Sequence, residues 1–503
     1  MTDASATTAR AGAVLAATCL STLIVNANTS AVSILLPAIS DDTGTSVDLL
    51  QWAVTGYSLV GAAVIVTSGA LGDVFGRKRV FQLGLALFVV SCVLIALSTS
   101  GAGVIVGRFI QGAAGATILA CGLSLLTVAN KGAAQLKAVS LWGAAAAVGA
   151  AIGPLLGGLL VGITGWQGLF WIDAAVGVVC MVITYIGVSE SRDPARSKSI
   201  DYAGSALVAM ILAPLILALS NGSVWGWGSI ATLGSFAVAV AAGVAFVVVE
   251  KRVAVPLINI DILRNRVLVG STIAILIGAG TINALMYVVS LYFQDPASLA
   301  FTPLQAGLAT LPATVGLVLI APLVPRLAAK LGGRQLVGVG FLISAIGFAV
   351  MGVAKADWTY AAFVLPLIAV AVGMGLSNGP ASAASTACVP ANEVGAASGV
   401  SNMARYVGAA VATAIAAGLY SSVTASKVEE GLARADALVS GIGTVSWVMA
   451  IFSLCGVAMA VVMGRRARAG IGGGEDVVAA VSAHSLTLPT SATPHDPADP
   501  MRD

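Results

Sequence analysis

The sequence predicts an all-α polytopic membrane protein with fourteen transmembrane helices and one hairpin set apart in its middle. Three observations predict it. Hydrophobic residues make up 58% of the 503-residue chain and charged residues only 9%, with a mean hydropathy of +0.98. A soluble chain of this length has no way to keep so much apolar surface from water. Apolar runs of about 20 residues, the length that crosses a bilayer, follow one another along nearly the whole chain. Lys and Arg balance to a net charge of only +3, which suggests no nucleic-acid partner, yet they collect on alternate turns between the runs.

The spans run, in order, over roughly 11–37, 50–71, 80–98, 103–126, 139–162, 167–188 and 202–219, then 229–249, 267–292, 305–325, 335–354, 359–382, 394–420 and 441–463. The first is too long in its apolar part, and too poor in preceding positive charge, for a cleavable signal peptide. One side of the membrane collects Arg10, Arg77, Lys78, Arg79, Lys131, Lys137, Arg192, Arg196, Lys198, Lys251, Arg252, Arg264, Arg266, Arg326, Lys330, Arg334, Arg465, Arg466 and Arg468. The other has only Lys355, Lys427 and Arg434, and holds Asp41, Asp42 and Asp48. The positive-inside bias therefore puts both termini in the cytoplasm and makes the number of spans even. The expected location is the plasma membrane.

Two polar stretches, 189–201 and 250–266, flank the short seventh and eighth spans and read as cytoplasmic linkers that isolate one hairpin. The segment 466–503, with its Gly, Ser and Pro, reads as a disordered cytoplasmic tail. Six cysteines fall inside apolar runs without CxxC spacing and read as small core residues. Both histidines, His484 and His495, fall in the tail, so no metal site is expected. With no nucleotide-binding Gly–Lys loop and no His in any span, neither catalysis nor a cofactor is expected.

The turn between spans two and three, GALGDVFGRKRVF (69–81), organises the reading. Gly72 and Gly76 allow close backbone approach, and Gly69 opens the stretch. Asp73 is too costly near hydrocarbon to lack a role; it can pair with Arg77 or cap a neighbouring helix. Arg77 and Lys78 follow in the turn, ahead of the apolar run that begins at Val80. Shifting the chain by 256 residues overlays 69–84 on 325–340, with Gly76 on Gly332 and Gly84 on Gly340. Both copies fall in cytoplasmic turns, as parallel transporter repeats require.

Span five carries Gly149, Gly153, Pro154, Gly157 and Gly158. Small residues at this spacing let helix backbones approach closely, and the proline permits a bend. The stripe is read as a flexible helix at a moving interface, with packing alone as the simpler alternative. In span four, Arg108 and Gln111 lie so deep that the arginine must face a polar cavity or a partner, or else snorkel outward.

These stretches together resemble the major facilitator superfamily over about residues 11–465. Residues 69–81 are similar to its loop signature, 108–115 to its fourth-helix motif, and GxxxGPxxGG (149–158) to the fifth-helix motif of exporters. Fourteen spans, QWAVTGYSL (51–59), YFQD (292–295) and GAASGVSNMARYVG (395–408) narrow the likeness to the fourteen-helix drug:proton antiporters. The resemblance implies two six-helix bundles, 11–188 and 267–465, alternating access, and a hairpin within 189–266 outside the core. It also implies that Asp73 meets the start of span thirteen, near residues 392–394. The chain departs from the family in two places. ANTSAVSILLP (27–37) has Asn28 where the family's helix-one acid falls, and WQGLFWID (166–173) has Gln167 for Arg and Asp173 for Asn.

Asp173 is the one acid clearly inside a span, about 10 Å along its helix at 1.5 Å per residue. Arg108 enters from the same side at similar depth. Desolvation penalises the carboxylate and a nearby arginine restores it, so the two are the candidate proton-coupling residues. Residues 1–10 form a cytoplasmic N-terminus. Candidate substrate contacts are Asn26, Asn28, Gln111, Asn283, Asn378 and Arg405, accompanied by Tyr57, Tyr406 and other aromatics, because deep polar groups seek one another or a ligand. The expected function is secondary transport, as a monomer in the lipid bilayer, of small amphipathic compounds outward against protons. An importer or uniporter of the same superfamily, or a lipid- or partner-binding membrane protein that does not pump, are the alternatives.

Overall fold

Glycine and proline punctuate apolar runs that are otherwise helical throughout. The structure, a computed structural model, describes residues 2–130, 133–192, 201–253, 256–258, 260–389 and 394–462. The tail from 466 and residues 392–393, where Asp73 was expected to reach, lie outside the described residues. The first bundle comprises α1 (Thr2–Thr43), α2 (Val47–Leu50), α3 (Trp52–Phe75), α4 (Arg77–Ala96), α5 (Gly101–Ala129), α6 (Ala133–Thr164) and α7 (Gln167–Gly187). The hairpin is α8 (Tyr202–Trp225) and α9 (Ile230–Glu250). The second bundle comprises α10 (Arg266–Gln294), α11 (Pro303–Ala309), α12 (Leu311–Ile320), α13 (Val324–Leu331), α14 (Gly333–Gly352), α15 (Tyr360–Ala387), α16 (Val394–Glu429) and α17 (Arg434–Val462). Fourteen of the resulting helical stretches are long and apolar enough to cross a membrane.

The tenth run, read as one span, is helical in four pieces: α11, α12, a 3-10 turn over Ala321–Leu323, and α13. Pro312, Pro322 and Pro325 each sit at the first or second position of a new piece, where a missing N–H is harmless. The repeat is visible in the backbone. Gly76 ends α3 at φ 114° and Gly332 ends α13 at φ 83°, and the next helix starts at once in each case. Gly84 and Gly340 then meet the following helix closely: a Cβ on Gly84 would lie 3.0 Å from Thr117, and one on Gly340 would lie 2.9 Å from the Ser377 amide nitrogen.

Within the first bundle α1 packs on α6 and α7, and α5 on α3 and α4; within the second, α10 packs on α16 and α17, and α14 on α15 and α17. The hairpin lies over the seam between the bundles, with α8 against both α3 and α16. Large apolar side chains such as Val240, Leu342 and Leu365 point outward, as hydrocarbon contact allows. At the end opposite the basic turns, Ser290 Oγ donates to Ser33 O at 2.7 Å and Gln294 Nε2 to Ile34 O at 3.2 Å, joining α10 to α1.

Candidate functional site

Small residues on α5 bring α3 within reach of the deep arginine. Cβ atoms on Gly112 or Gly115 would run into Tyr57, the first into its backbone and the second into its hydroxyl. Tyr57 is thereby pressed onto α5, and the Arg108 guanidinium stacks 4.2 Å from its ring centroid. Arg108 is 0% exposed. Its Nε donates to Ala53 O at 2.8 Å and its Nη1 to the side-chain oxygens of Gln111 and Asn28, each at 2.5 Å. Its Nη2 is buried with no acceptor.

Asn28, fully buried on α1, completes the chain by donating from Nδ2 to Asp173 Oδ2 at 2.7 Å. Asp173 itself is 3% exposed on α7. Gln111 Nε2 donates onward to Cys92 Sγ at 3.0 Å. Asp173 and Arg108 are therefore brought into one polar network, joined through the Asn28 amide rather than by a salt bridge between them. An amide can do this because it donates from one end and accepts at the other. Arg108 does not snorkel. The start of α7 is fixed to α1 as well, since Trp166 Nε1 and Gln167 Nε2 both donate to Asp42 Oδ2, at 2.9 and 3.1 Å.

The network touches the second bundle through one ring. Tyr57 lies 6.4 Å, centroid to centroid, from Tyr406 on α16, and Gly61 leaves the space that the Tyr406 ring needs. Beside it Arg405 is exposed and donates from Nη2 to Ser382 Oγ at 3.2 Å.

The remaining candidate contacts divide. Asn28 and Gln111 belong to the buried network and have no exposed surface. Asn26 and Asn283 are half-buried and donate to carbonyls one turn back on their own helices, Thr22 and Ala279, each at 2.8 Å. Asn378 Oδ1 is buried without a donor at the α10–α15 contact, 3.0 Å from where a Gly278 Cβ would sit.

The glycines of α6 turn two faces to two neighbours. Gly149, Gly153 and Gly157 lie against the Leu23, Ala27 and Ala31 backbone of α1. Gly158 lies against Pro303 and Leu304 of α11, in the other bundle, and Gly307 of α11 lies against the Pro154 carbonyl. Helix α6 continues through Pro154 without a break.

In the 69–81 turn Asp73 takes Arg77 as partner, with Nη2 at 2.9 Å. Gly72 packs against Cys121 Sγ on α5, while nothing stands near Gly69. Glu190, which sequence reasoning passed over, caps the start of α4: its carboxylate accepts from the Lys78 N–H at 3.0 Å and the Arg79 N–H at 3.3 Å. Lys78 Nζ reaches back to the Tyr185 carbonyl at 2.9 Å. Only a linker position recommended Glu190, so no local pattern pointed to it. Two acids at helix ends, Asp201 and Glu250, at 6% and 4% exposure, are buried as well as Asp173.

A family model described as Major Facilitator Superfamily matches residues 18–413. The chain is 30% identical, over 82% of its length and 77% of the relative's, to the "Tetracenomycin C resistance and export protein" of Streptomyces glaucescens. It is 29% identical to the "Multidrug efflux pump LfrA" of Mycolicibacterium smegmatis (84% of this chain, 83% of that one). The "Cephamycin export protein CmcT" of Amycolatopsis lactamdurans is 30% identical (82% and 86%). Among solved structures, an auto-inhibited POT family peptide transporter superposes with a TM-score of 0.66 at 15% identity, over 92% of this chain and 97% of the other. That likeness concerns the fold.

Proposed function

The chain belongs to the major facilitator superfamily, and on that premise we propose that it exports amphipathic organic compounds across the plasma membrane in exchange for protons. Four-fifths of its length is related to proteins whose names record antibiotic or multidrug export. The α6 stripe, with one glycine face on α1 and Gly158 on α11, suits a helix that slides at the seam between bundles.

The observation that carries proton coupling is the buried line Asp173–Asn28–Arg108–Tyr57, which ends against Tyr406 of the second bundle. A carboxyl held from water by protein and faced with an amide donor can exist with or without its proton. When the carboxyl is charged, Arg108 holds the opposite charge in the same network; when it is protonated, Arg108 leans on Asn28, Gln111 and the Tyr57 face. Each state pulls differently on α1, α5 and α7, which is what a two-state transporter needs from a coupling ion. The basic ends of the helices face the cytoplasm, and the closed opposite end then supports an inward-facing state.

Substrate meets a different charge. Arg405 is exposed beside the seam, and among the described residues no acid in the spans of the second bundle is buried. This favours neutral or anionic amphipaths, held by apolar walls, with Asn378 as an orienting contact. The transporter acts as a monomer, and the Asp73–Arg77 turn latches the cytoplasmic end.

Efflux from proteoliposomes under an imposed pH gradient tests the reading. Wild-type protein is expected to drive a neutral or anionic dye in preference to a permanently cationic one. Asp173→Asn is expected to lose the gradient-driven component while retaining substrate counterflow. A wild-type response to the gradient in that variant removes Asp173 from coupling, and a strong preference for the cation overturns the charge argument.

A further inference from the structure

The hairpin that lies over the seam carries its own buried acids. Asp201 caps α8 by accepting from the Gly204 N–H at 2.6 Å through Oδ1. Glu250, at the end of α9, accepts from the Ile258 N–H at 3.2 Å through Oε2. Each carboxylate has its second oxygen, Asp201 Oδ2 and Glu250 Oε1, buried without a hydrogen-bond donor. Both orphan oxygens lie 2.6 Å from the point that a Cβ on Gly204 would occupy, so they converge on one spot.

Among the described residues, no cation on the surrounding elements donates to this spot. Lys251 and Arg252 after α9, and Arg266 leading into α10, are exposed. Arg77, at the end of the α3 turn, is paired with Asp73, and Arg405 on α16 is bonded to Ser382. Two full negative charges converging in a buried place, with no donor for the facing oxygens, repel each other strongly. One proton turns that repulsion into a hydrogen bond and satisfies both orphan oxygens at once.

We infer that Asp201 and Glu250 bind one proton between them, forming a proton-held clasp at the basic end of the hairpin. What the clasp joins gives it a consequence. The start of α8 is tied to the first bundle, where Ser205 and Thr67 of α3 share a hydroxyl hydrogen bond. The end of α9 is tied through Glu250 to Ile258, and Ile258 and Ile262 pack with Leu268, Ala397 and Val400 of the second bundle. The pair is thus the joint between a helix held by one bundle and a segment held by the other. Losing the proton parts α8 from α9 at this joint and frees the bundles to move apart at the basic end. The hairpin becomes a pH-responsive strap, separate from the Asp173 network.

Difference infrared spectroscopy of purified protein in lipid nanodiscs, after an alkaline pH jump, tests it. Wild type is expected to lose a protonated-carboxyl band that Asp173→Asn retains and that Asp201→Asn and Glu250→Gln both lack. Either amide variant suffices should the other fold poorly, since both keep size and hydrogen-bonding capacity. Thermal stability gives a second readout. The folded pair holds a proton that unfolded carboxylates release at neutral pH, so wild-type stability should fall as pH rises through the titration. The amide variants should be flat over that window. Carboxyl bands and a pH slope like wild type in the amide variants overturn the shared proton.

Discussion

Arg108 and Arg405 are both deep in apolar helices, one in each bundle, and their surroundings are opposite. Arg108 is sealed between α1, α3 and α5, with four contacts that use Ala53, Gln111, Asn28 and the Tyr57 ring. Arg405 is exposed and has a single hydroxyl partner in Ser382. The superfamily's duplicated architecture therefore holds two different kinds of charge. One is built into the protein and answers to Asp173 through Asn28; the other is left where something arriving can meet it. A sealed charge suits a proton, which needs no space, and an open charge suits a substrate, which does.

The largest expected effect separates these two arginines. Arg108→Met leaves Asp173 and Asn28 facing no cation and strips three hydrogen bonds from buried acceptors, at a cost of about 3–5 kcal/mol for breaking a buried charged network. Yield of folded protein and its thermal transition should fall sharply. Arg405→Met should change stability by no more than about 0.5 kcal/mol, as exposed substitutions do, while weakening transport of anionic dyes more than neutral ones. Equal stability losses in the two variants would erase the contrast between a sealed and an open charge.

Much of this was legible in the sequence. The span count and the repeat followed from apolar length, the placement of Lys and Arg, and glycine spacing, because a bilayer imposes length and charge rules on every helix. Asp173 and Arg108 stood out because charges inside spans are rare. Their connection did not, since sequence spacing says nothing about which faces of α1, α5 and α7 converge. Asn28 looked like a missing acid; the structure makes it the amide that bridges an acid and an arginine. Asp201 and Glu250 were hidden for another reason. They sit at the ends of helices, where acids are ordinarily solvated, and sequence spacing does not show that both are buried or that the Ile258 amide lies on Glu250.

A second, smaller contrast lies along α6. Gly149 faces α1 inside its own bundle, whereas Gly158 faces α11 across the seam, and each abuts backbone that has no flexible end to yield. Gly149→Ala should therefore lower the stability of the first bundle, by about 1–3 kcal/mol for overpacking. Gly158→Ala meets Leu304 Cα at 2.8 Å, and the relief available to it is separation of the two bundles. Distances between labels on the α1 and α10 ends should lengthen in Gly158→Ala and stay at wild-type values in Gly149→Ala. The same shift in both would mean that the stripe is a single packing surface.

The smallest expected effect compares the two copies of the repeat. Gly76 and Gly332 both end a helix at positive φ, 114° and 83°, where any side chain is strained. Alanine at either should cost about 1–3 kcal/mol through the backbone alone. The surroundings then differ. Nothing lies within 4 Å of a Cβ on Gly332, while a Cβ on Gly76 would lie 2.6 Å from the carboxyl carbon of Glu190. Displacing Glu190 removes the acceptor for the Lys78 and Arg79 amides and weakens its 3.7 Å approach to Arg79 Nε. Losing such a cap costs a further ~0.5–2 kcal/mol. Gly76→Ala should accordingly destabilise the protein more than Gly332→Ala, and adding Glu190→Ala should bring the two close together, because the cap is then already gone. Thermal transitions of Gly76→Ala and Gly332→Ala in lipid, each with and without Glu190→Ala, decide it: equal losses at Gly76 and Gly332 with Glu190 in place would make the first turn no different from the second, and Glu190 a bystander.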